Sequence, residues 1–295
     1  MPMMEPMKKL LIGLAVAALA LSACGKEPDQ GGLPHVANPR GALLNAMVSA
    51  YEAGTMHEEF TMSMTAGSES FTFSGQADVD SERRRASMTM DLGMLGGSMD
   101  MIVDGGTIYM RSPQFSEVGT EWVSFDAEAL GAASGSPLGG LGTGSMDPSA
   151  YAALFAGAVH VAERGTEEID GVTTTHYVGT IDLAKAIGGI GKVIGDDAGR
   201  DVVKQLREAM DQLGAMGLDR IPFEAWIDGA GRLRRERITM DLGSMIPGAG
   251  DASMDMTADF SRYGEPVHIE IPAKSEVTDM TDAMAGLDPA SGGSG

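Results

Sequence analysis

Few residues in this chain can do chemistry, and most of those are badly spaced for it. The five histidines (His35, His57, His160, His176 and His268) show no metal-ligand spacing. A metal site gathered from distant strands stays open, beside the simpler reading of surface and sheet-face histidines. There is no G-x-S-x-G elbow, no G-x-x-x-x-G-K-[ST] loop and no H-E-x-x-H helix. Gly140-Leu141-Gly142-Thr143-Gly144 is glycine-rich, but no strand feeds it, so it is no dinucleotide fingerprint. Asp104, Asp170 and Asp228 each precede glycine, where turn aspartates stand. The expectation is a protein that is not an enzyme, with no catalytic residue, no metal and no cofactor.

What stands out is methionine, 23 residues in a chain of 295. Met62, Met64, Met88, Met90, Met99, Met101, Met240, Met254 and Met256 fall on the apolar parity of alternating segments. Phe60, Phe71, Phe73, Val103 and Ile238 share it. β-Branched residues are the ordinary choice for a rigid strand core. Unbranched, polarizable side chains instead repack around partners of variable shape. The stripe is either flexible core filler or the lining of a cavity for an irregular apolar ligand. In the second case Met62, Met64, Phe71, Phe73, Met88, Met90, Met99, Met101, Ile238, Met240, Met254 and Met256 line it.

Arginines cluster at Arg83-Arg84-Arg85 and at Arg232, Arg234, Arg235 and Arg237. Parity puts Arg84 and Arg234 on the methionine-bearing face at a strand start. There their forked donors could hold a phosphate or glycolipid headgroup. The alternative is pairing with nearby carboxylates on a solvated face. Carboxylates are plentiful: 42 acidic residues against 21 basic ones give a net charge of −21. That charge opposes binding to nucleic acid.

The only cysteine, Cys24, follows Leu21-Ser22-Ala23. This is the pattern of a bacterial lipobox, in which the thiol accepts diacylglycerol after cleavage. A basic start (Met7-Lys8-Lys9) and the apolar run Leu10 to Ala20 precede it. That run is too short to span a bilayer and reads as a signal-peptide core. The predicted mature chain carries a charge of −22, and two or three acyl chains on Cys24 would hold it stably at a membrane. The expected place of work is the extracytoplasmic face of the cell membrane. A lone cysteine also excludes an internal disulfide framework or a thiolate-built zinc site.

The supporting elements follow from periodicity. Asn38-Pro39 can cap a helix to about Glu52, with Leu43, Leu44, Met47 and Tyr51 on one stripe. Strict alternation at Phe60–Ala66, Phe71–Val79, Ser87–Leu92 and Ser98–Met101 predicts antiparallel strands with one wet face. Further strands are expected at Thr107–Arg111, Glu121–Phe125, Val159–Gly165, Val172–Ile181, Pro222–Asp228, Arg232–Leu242, Ala252–Tyr263 and Val267–Ile271. Helices are expected from Pro148 and over Asp201–Leu213, with a flexible loop at Gly131–Ser145. The domain plan is a leader (1–23), the lipidated cysteine and a flexible tether (24–38), one domain (39–285) and a disordered tail (286–295).

The halves echo one another. Arg84-Arg85 followed by Thr89-Met90-Asp91-Leu92-Gly93 matches Arg234-Arg235 followed by Thr239-Met240-Asp241-Leu242-Gly243. Ser98-Met99-Asp100-Met101 then matches Ser253-Met254-Asp255-Met256. The domain is therefore expected to consist of pseudo-repeated halves, against the alternative of chance similarity between amphipathic strands.

Four segments in order carry a wider resemblance: Val103-Asp104-Gly105-Gly106-Thr107-Ile108-Tyr109-Met110, Glu121-Trp122-Val123, the run from Glu168 to Tyr177, and the run from Ile221 to Asp228. With the lipobox they resemble the actinobacterial LppX/LprAFG lipoproteins, related in fold to the LolA carriers. The resemblance implies an α+β fold, a strongly curved antiparallel sheet (an incomplete barrel) with helices on its concave face. It also implies a lipid or glycolipid ligand whose acyl chains lie between sheet and helices. The same fold leaves open a sensor that binds an envelope protein partner. The glycine-rich loop Gly131–Ser145 is longer than the family leads one to expect.

Overall fold

The computed structural model describes residues 38–93, 96–127, 155–186, 219–243 and 252–281. Helix α1 (Pro39–Glu52) is the one expected. Pro39 sits in the first turn, where its missing N–H costs nothing. The Asn38 side chain caps the helix by accepting from the Gly41 N–H at 3.1 Å. Leu43, Ala46 and Met47 form its buried stripe.

Twelve strands follow: β1 (Thr55–Ala66), β2 (Glu69–Asp80), β3 (Arg85–Asp91), β4 (Ser98–Asp104), β5 (Thr107–Arg111), β6 (Trp122–Asp126), β7 (Ala158–Ile169), β8 (Val172–Asp182), β9 (Arg220–Asp228), β10 (Leu233–Asp241), β11 (Ala252–Ser261) and β12 (Val277–Asp279). They make one sheet in the order β12-β6-β5-β4-β3-β2-β1-β11-β10-β9-β8-β7. All neighbours are antiparallel except β12, which runs parallel to β6. The sheet is curved and does not close: among the described residues β7 and β12 are its two free edges. Its seam is the β1–β11 ladder, from His57↔Ser261 to Ala66↔Ala252.

Two glycines let the sheet bend. Gly75 faces Phe60 across β2–β1, and Gly179 faces Phe223 across β8–β9. A Cβ at either position would stand 2.6 Å from its phenylalanine ring. Each ring therefore lies over a missing side chain and fills its space.

The inner face holds the main core. Leu43, Ala46 and Met47 of α1 pack with Phe60, Phe155, Tyr177, Phe223, Ile238, Ala258 and Phe260. The helix rests on β1, β7, β9 and β10. A smaller cluster (Val79, Ala86, Val103 and Ile108) lies toward the β2–β5 side.

The segments that echo one another in the sequence fall on two hairpins of like register. In β3–β4, Met88↔Met101, Thr89↔Asp100 and Met90↔Met99 face each other. In β10–β11 the equivalent pairs are Ile238↔Met256, Thr239↔Asp255 and Met240↔Met254. Both first strands end in the same turn, in which the aspartate side chain accepts from the glycine N–H two residues on: Asp91 from Gly93 and Asp241 from Gly243.

Two expectations need correction. Val267–Ile271 is not a strand: residues 265–273 join no strand ladder, and a short 3-10 turn (Lys274–Glu276) leads from them into β12. Pro266 and Pro272 bracket that run and each lacks a ladder donor. The segment instead lines a groove with Asp100, Ile102, Arg111 and Trp122 on the sheet's outer face. Strand β7 runs on past Gly165 to Ile169 because its register slips twice, between Val159 and Ala162 and between Glu163 and Gly165. His160 (φ 54°) takes up a left-handed backbone beside the first slip. The leader with Cys24, the loop Gly131–Ser145, the helices expected from Pro148 and over Asp201–Leu213, and the tail from 286 lie outside the described residues.

Candidate functional site

Strand pairing gathers the methionines into rows. One row crosses four strands as Phe73 (β2), Met62 (β1), Met256 (β11) and Ile238 (β10). The next, nearer the rim, is Phe71, Met64, Met254 and Met240. Beyond β2, Met88 and Met90 of β3 face Met101 and Met99 of β4, and Met110 of β5 continues the first of these pairs. Ile238 is buried, and the others keep partial exposure. Met88, Met90, Met240 and Met256 pack against the main core, and Met101 and Met110 against the smaller cluster. The face is continuous, apolar and lined by flexible side chains.

Sequence reasoning missed what lies behind these rows. Glu58 has the parity of Phe60 and Met62, and Glu236 that of Ile238 and Met240. Glu236 stands opposite Ala225 and Ala258 and is 1% exposed. Glu58 stands opposite Ala77 and Phe260. The two carboxyls thus flank β11 on the face that α1 covers. Burial pushes Glu58 up to about 7, although the charge of His57 pulls the other way. Burial pushes Glu236 up to about 8, and the neighbouring Glu58 carboxylate adds to the rise. The signal was legible: a glutamate on the apolar parity of each strand.

The arginines divide differently. Arg84 lies in the exposed turn before β3, with a left-handed backbone (φ 55°), because the strand starts one residue later. Arg234 sits at a bulge where the register steps from Leu233↔Ile227 to Arg235↔Trp226. Its Nε lies 3.1 Å from the Asp228 carboxylate, and a guanidinium N–H donates to the Phe260 carbonyl at 3.5 Å. The other clustered arginines pair as Arg83–Asp80, Arg85–Asp104, Arg232–Asp228, Arg235–Asp259 and Arg237–Asp255.

The aspartates read as turn formers behave so. Asp228 accepts from the Ala230 and Arg232 N–H groups, both at 2.9 Å, and Asp170 takes φ 49° beside Gly171. His176 stacks on Trp226 with ring centroids 4.3 Å apart. Its nitrogens reach Glu224 at 2.7 Å and Glu167 at 3.1 Å. His57 is buried, its Nδ1 lying 2.7 Å from Asp78. Among the described residues no group of three or more His, Cys, Asp or Glu could hold a metal ion.

Among the described residues, one open groove of about 510 Å³ is lined by Glu59, Phe60, Gln76, Thr89 and Asp259, and another of about 590 Å³ by Met88, Thr89, Asp100, Met101, Arg111 and Trp122. Among the described residues no helix is long and apolar enough to cross a membrane.

In the comparison of solved structures, the lipoprotein LppX of Mycobacterium tuberculosis matches 79% of this chain over 98% of its own, at 19% identity and a TM-score of 0.46. LprF of Mycobacterium bovis matches 82% over 100% of its own chain, with the same identity and score. The chain resembles LppX and LprF. A LolA superfamily protein of Nitrosomonas europaea matches 82% of this chain over 99% of its own, at 8% identity and a TM-score of 0.32. No family model matches. An uncharacterized 31.2 kDa protein of Streptomyces griseus, from the rplA-rplJ intergenic region, is 30% identical over 169 residues, 56% of this chain. The chain spans about half the length of that curated relative (50%).

Proposed function

We propose that the protein is a lipoprotein, anchored through Cys24 to the extracytoplasmic face of the cell membrane, that binds acyl chains of envelope lipids or glycolipids. The ligand lies along the methionine rows of the inner face. The observation that supports this is the continuity of the two rows Phe73–Met62–Met256–Ile238 and Phe71–Met64–Met254–Met240 across four strands. Partly buried methionines continuous with a packed core suit a chain-like ligand of variable shape. Each methylene taken from water contributes about 0.8 kcal/mol, so one acyl chain supplies ample binding energy.

The test is native mass spectrometry of residues 25–295, secreted behind a cleavable signal peptide. A discrete adduct that extracts as an acyl lipid, and is lost in Met64→Lys and Met254→Lys, supports the reading. A bare protein mass that persists after incubation with envelope lipids overturns it. Anchoring is tested separately: labelled palmitate enters the wild-type chain and not Cys24→Ala.

A further inference from the structure

On the inner face of β3, β4 and β5 the only side-chain heteroatoms are thioether sulfurs. Met88 faces Met101 and Met101 faces Met110, a row across three adjacent strands. Met90 faces Met99 in the row behind it. The remaining positions of that face are Ala86, Val103 and Ile108. All five methionines are half-buried. Met88 and Met90 pack against the main core, Met101 and Met110 against the smaller cluster, so the patch bridges the two.

The fold does not require sulfur there. The matching row across β10, β11 and β1 is Ile238–Met256–Met62, with a branched residue at the position of Met88. That row runs on into Phe73 of β2 and makes an apolar track. The row Met88–Met101–Met110 instead stops at Ala77 on one side and at Val123 on the other. It is a compact patch of sulfur rather than a track.

We propose that Met88, Met101 and Met110 form a binding site for a soft monovalent cation, Cu(I) or its analogue Ag(I). Facing residues of antiparallel strands hold their Cβ atoms about 4.5–5.5 Å apart. Each sulfur lies beyond Cγ on an unbranched, freely rotating chain. The outer two can therefore swing toward Met101, and the three sulfurs meet over β4. Each donates a lone pair to the ion; no electron is transferred and no proton is released.

The donor set decides the ion. Thioethers are soft and neutral and select Cu(I), whereas Zn(II), Mg(II) and Ca(II) need imidazole, thiolate, carboxylate or water. This face offers none of the protein ligands among those. Asp100 of β4 and Arg111 of β5 are engaged with each other and with Thr89 on the opposite face. A single positive charge also costs less to place on an apolar surface than a double one. The net charge of −21 draws cations in general, and the sulfurs then discriminate. Histidine spacing, the lone cysteine and the search for His, Cys, Asp and Glu groups speak only of imidazole, thiolate and carboxylate sites.

The site does not rest on the acyl-binding reading, whose rows run through Met62, Met64, Met254 and Met256. Its test uses the full mature chain without added lipid, with Cys24→Ser in every sample so that no thiol competes. Methionine methyl groups are isotope-labelled for nuclear magnetic resonance. Ag(I) is titrated in as the redox-stable probe, and Cu(I) follows without oxygen. The first equivalent should shift the methyl resonances of Met88, Met101 and Met110, each identified by its loss in the leucine variant, and leave those of Met62 and Met256 in place. Zn(II) should shift none of them. Met101→Leu, at the centre of the row, should weaken Ag(I) binding by about tenfold or more. Affinity should stay constant between about pH 5.5 and 7.5, because a thioether has no proton to lose. The site is overturned if Ag(I) moves no methionine methyl, moves all of them alike, or moves those of Met64 and Met254 first. It is overturned too if Met101→Leu binds as tightly as the parent. The leucine exchange keeps side-chain volume; if Met101→Leu does not fold, Met110→Leu is read by the same criteria.

Discussion

On their outer faces the β3–β4 and β10–β11 hairpins each hold a threonine on an aspartate, joined by an arginine that comes from β5 in the first case and from β10 itself in the second. Thr89 donates to Asp100 at 2.8 Å, and Arg111 reaches the other Asp100 oxygen at 3.0 Å. Thr239 donates to Asp255 at 3.1 Å, and Arg237 reaches the same carboxylate at 2.7 Å. Arginines at the strand starts repeat too, Arg85 on Asp104 and Arg235 on Asp259. Inside, the hairpins part company: Ala86 and Val103 in one, Glu236 and Ala258 in the other. Strand frames are set by outer-face pairing and turn chemistry, and the inner residues are then free to diverge toward a task.

Exchanging the divergent residues should have the largest effect. Ala86→Glu puts an uncompensated carboxylate into a sealed site, and its denaturant midpoint at pH 8 should report a loss of roughly 3–5 kcal/mol. The loss should shrink at pH 5, where the new group is neutral. A loss below 1 kcal/mol would mean that the twin positions are less alike than their burial implies. Next, Leu43→Ala removes the centre of the α1 stripe and should cost about 2–5 kcal/mol. Hydrogen exchange should then rise in β9 and β10 before it rises in β3 and β4.

The third effect is a slope. Because Glu58 and Glu236 keep their protons longer folded than unfolded, global stability should fall as pH rises from about 5 to 8. The loss is on the order of 1.4 kcal/mol per pH unit for each group within its window. Glu236→Ala should flatten the curve measured by urea unfolding across that range. The smallest effect is the shared one: Asp100→Ala and Asp255→Ala should each cost about 0.2–1 kcal/mol, as partly exposed ion pairs do. Unequal costs would show that the source of the arginine, β5 in one network and β10 in the other, matters.

Alternation made the strands legible, and the twinned Thr-Met-Asp-Leu-Gly made the hairpins legible as a pair. Asn38-Pro39 marked the start of α1 because capping is local chemistry. Strand order was not legible from periodicity, since pairing of β1 with β11 depends on contacts across nearly the whole domain. Val267–Ile271 alternates like a strand, but its flanking prolines decided against it. Arg84 and Arg234 were placed by parity, which fails wherever a turn or bulge interrupts the count. Glu58 and Glu236 lay in plain view; as single polar residues in apolar strands they carried no spacing to draw the eye.

The strand order has a mechanical side. Strands β6 and β7 are consecutive in the chain yet stand ten places apart in the sheet, roughly 48 Å at ordinary strand spacing. A single cut between Asp126 and Ala158 would therefore break no strand ladder within either meander. They would stay stitched by the ten facing pairs of β1–β11 and by β12, which reaches past the first meander to clasp its far edge at β6. The protein should survive such a nick as a two-piece assembly, and fragments made separately should find each other.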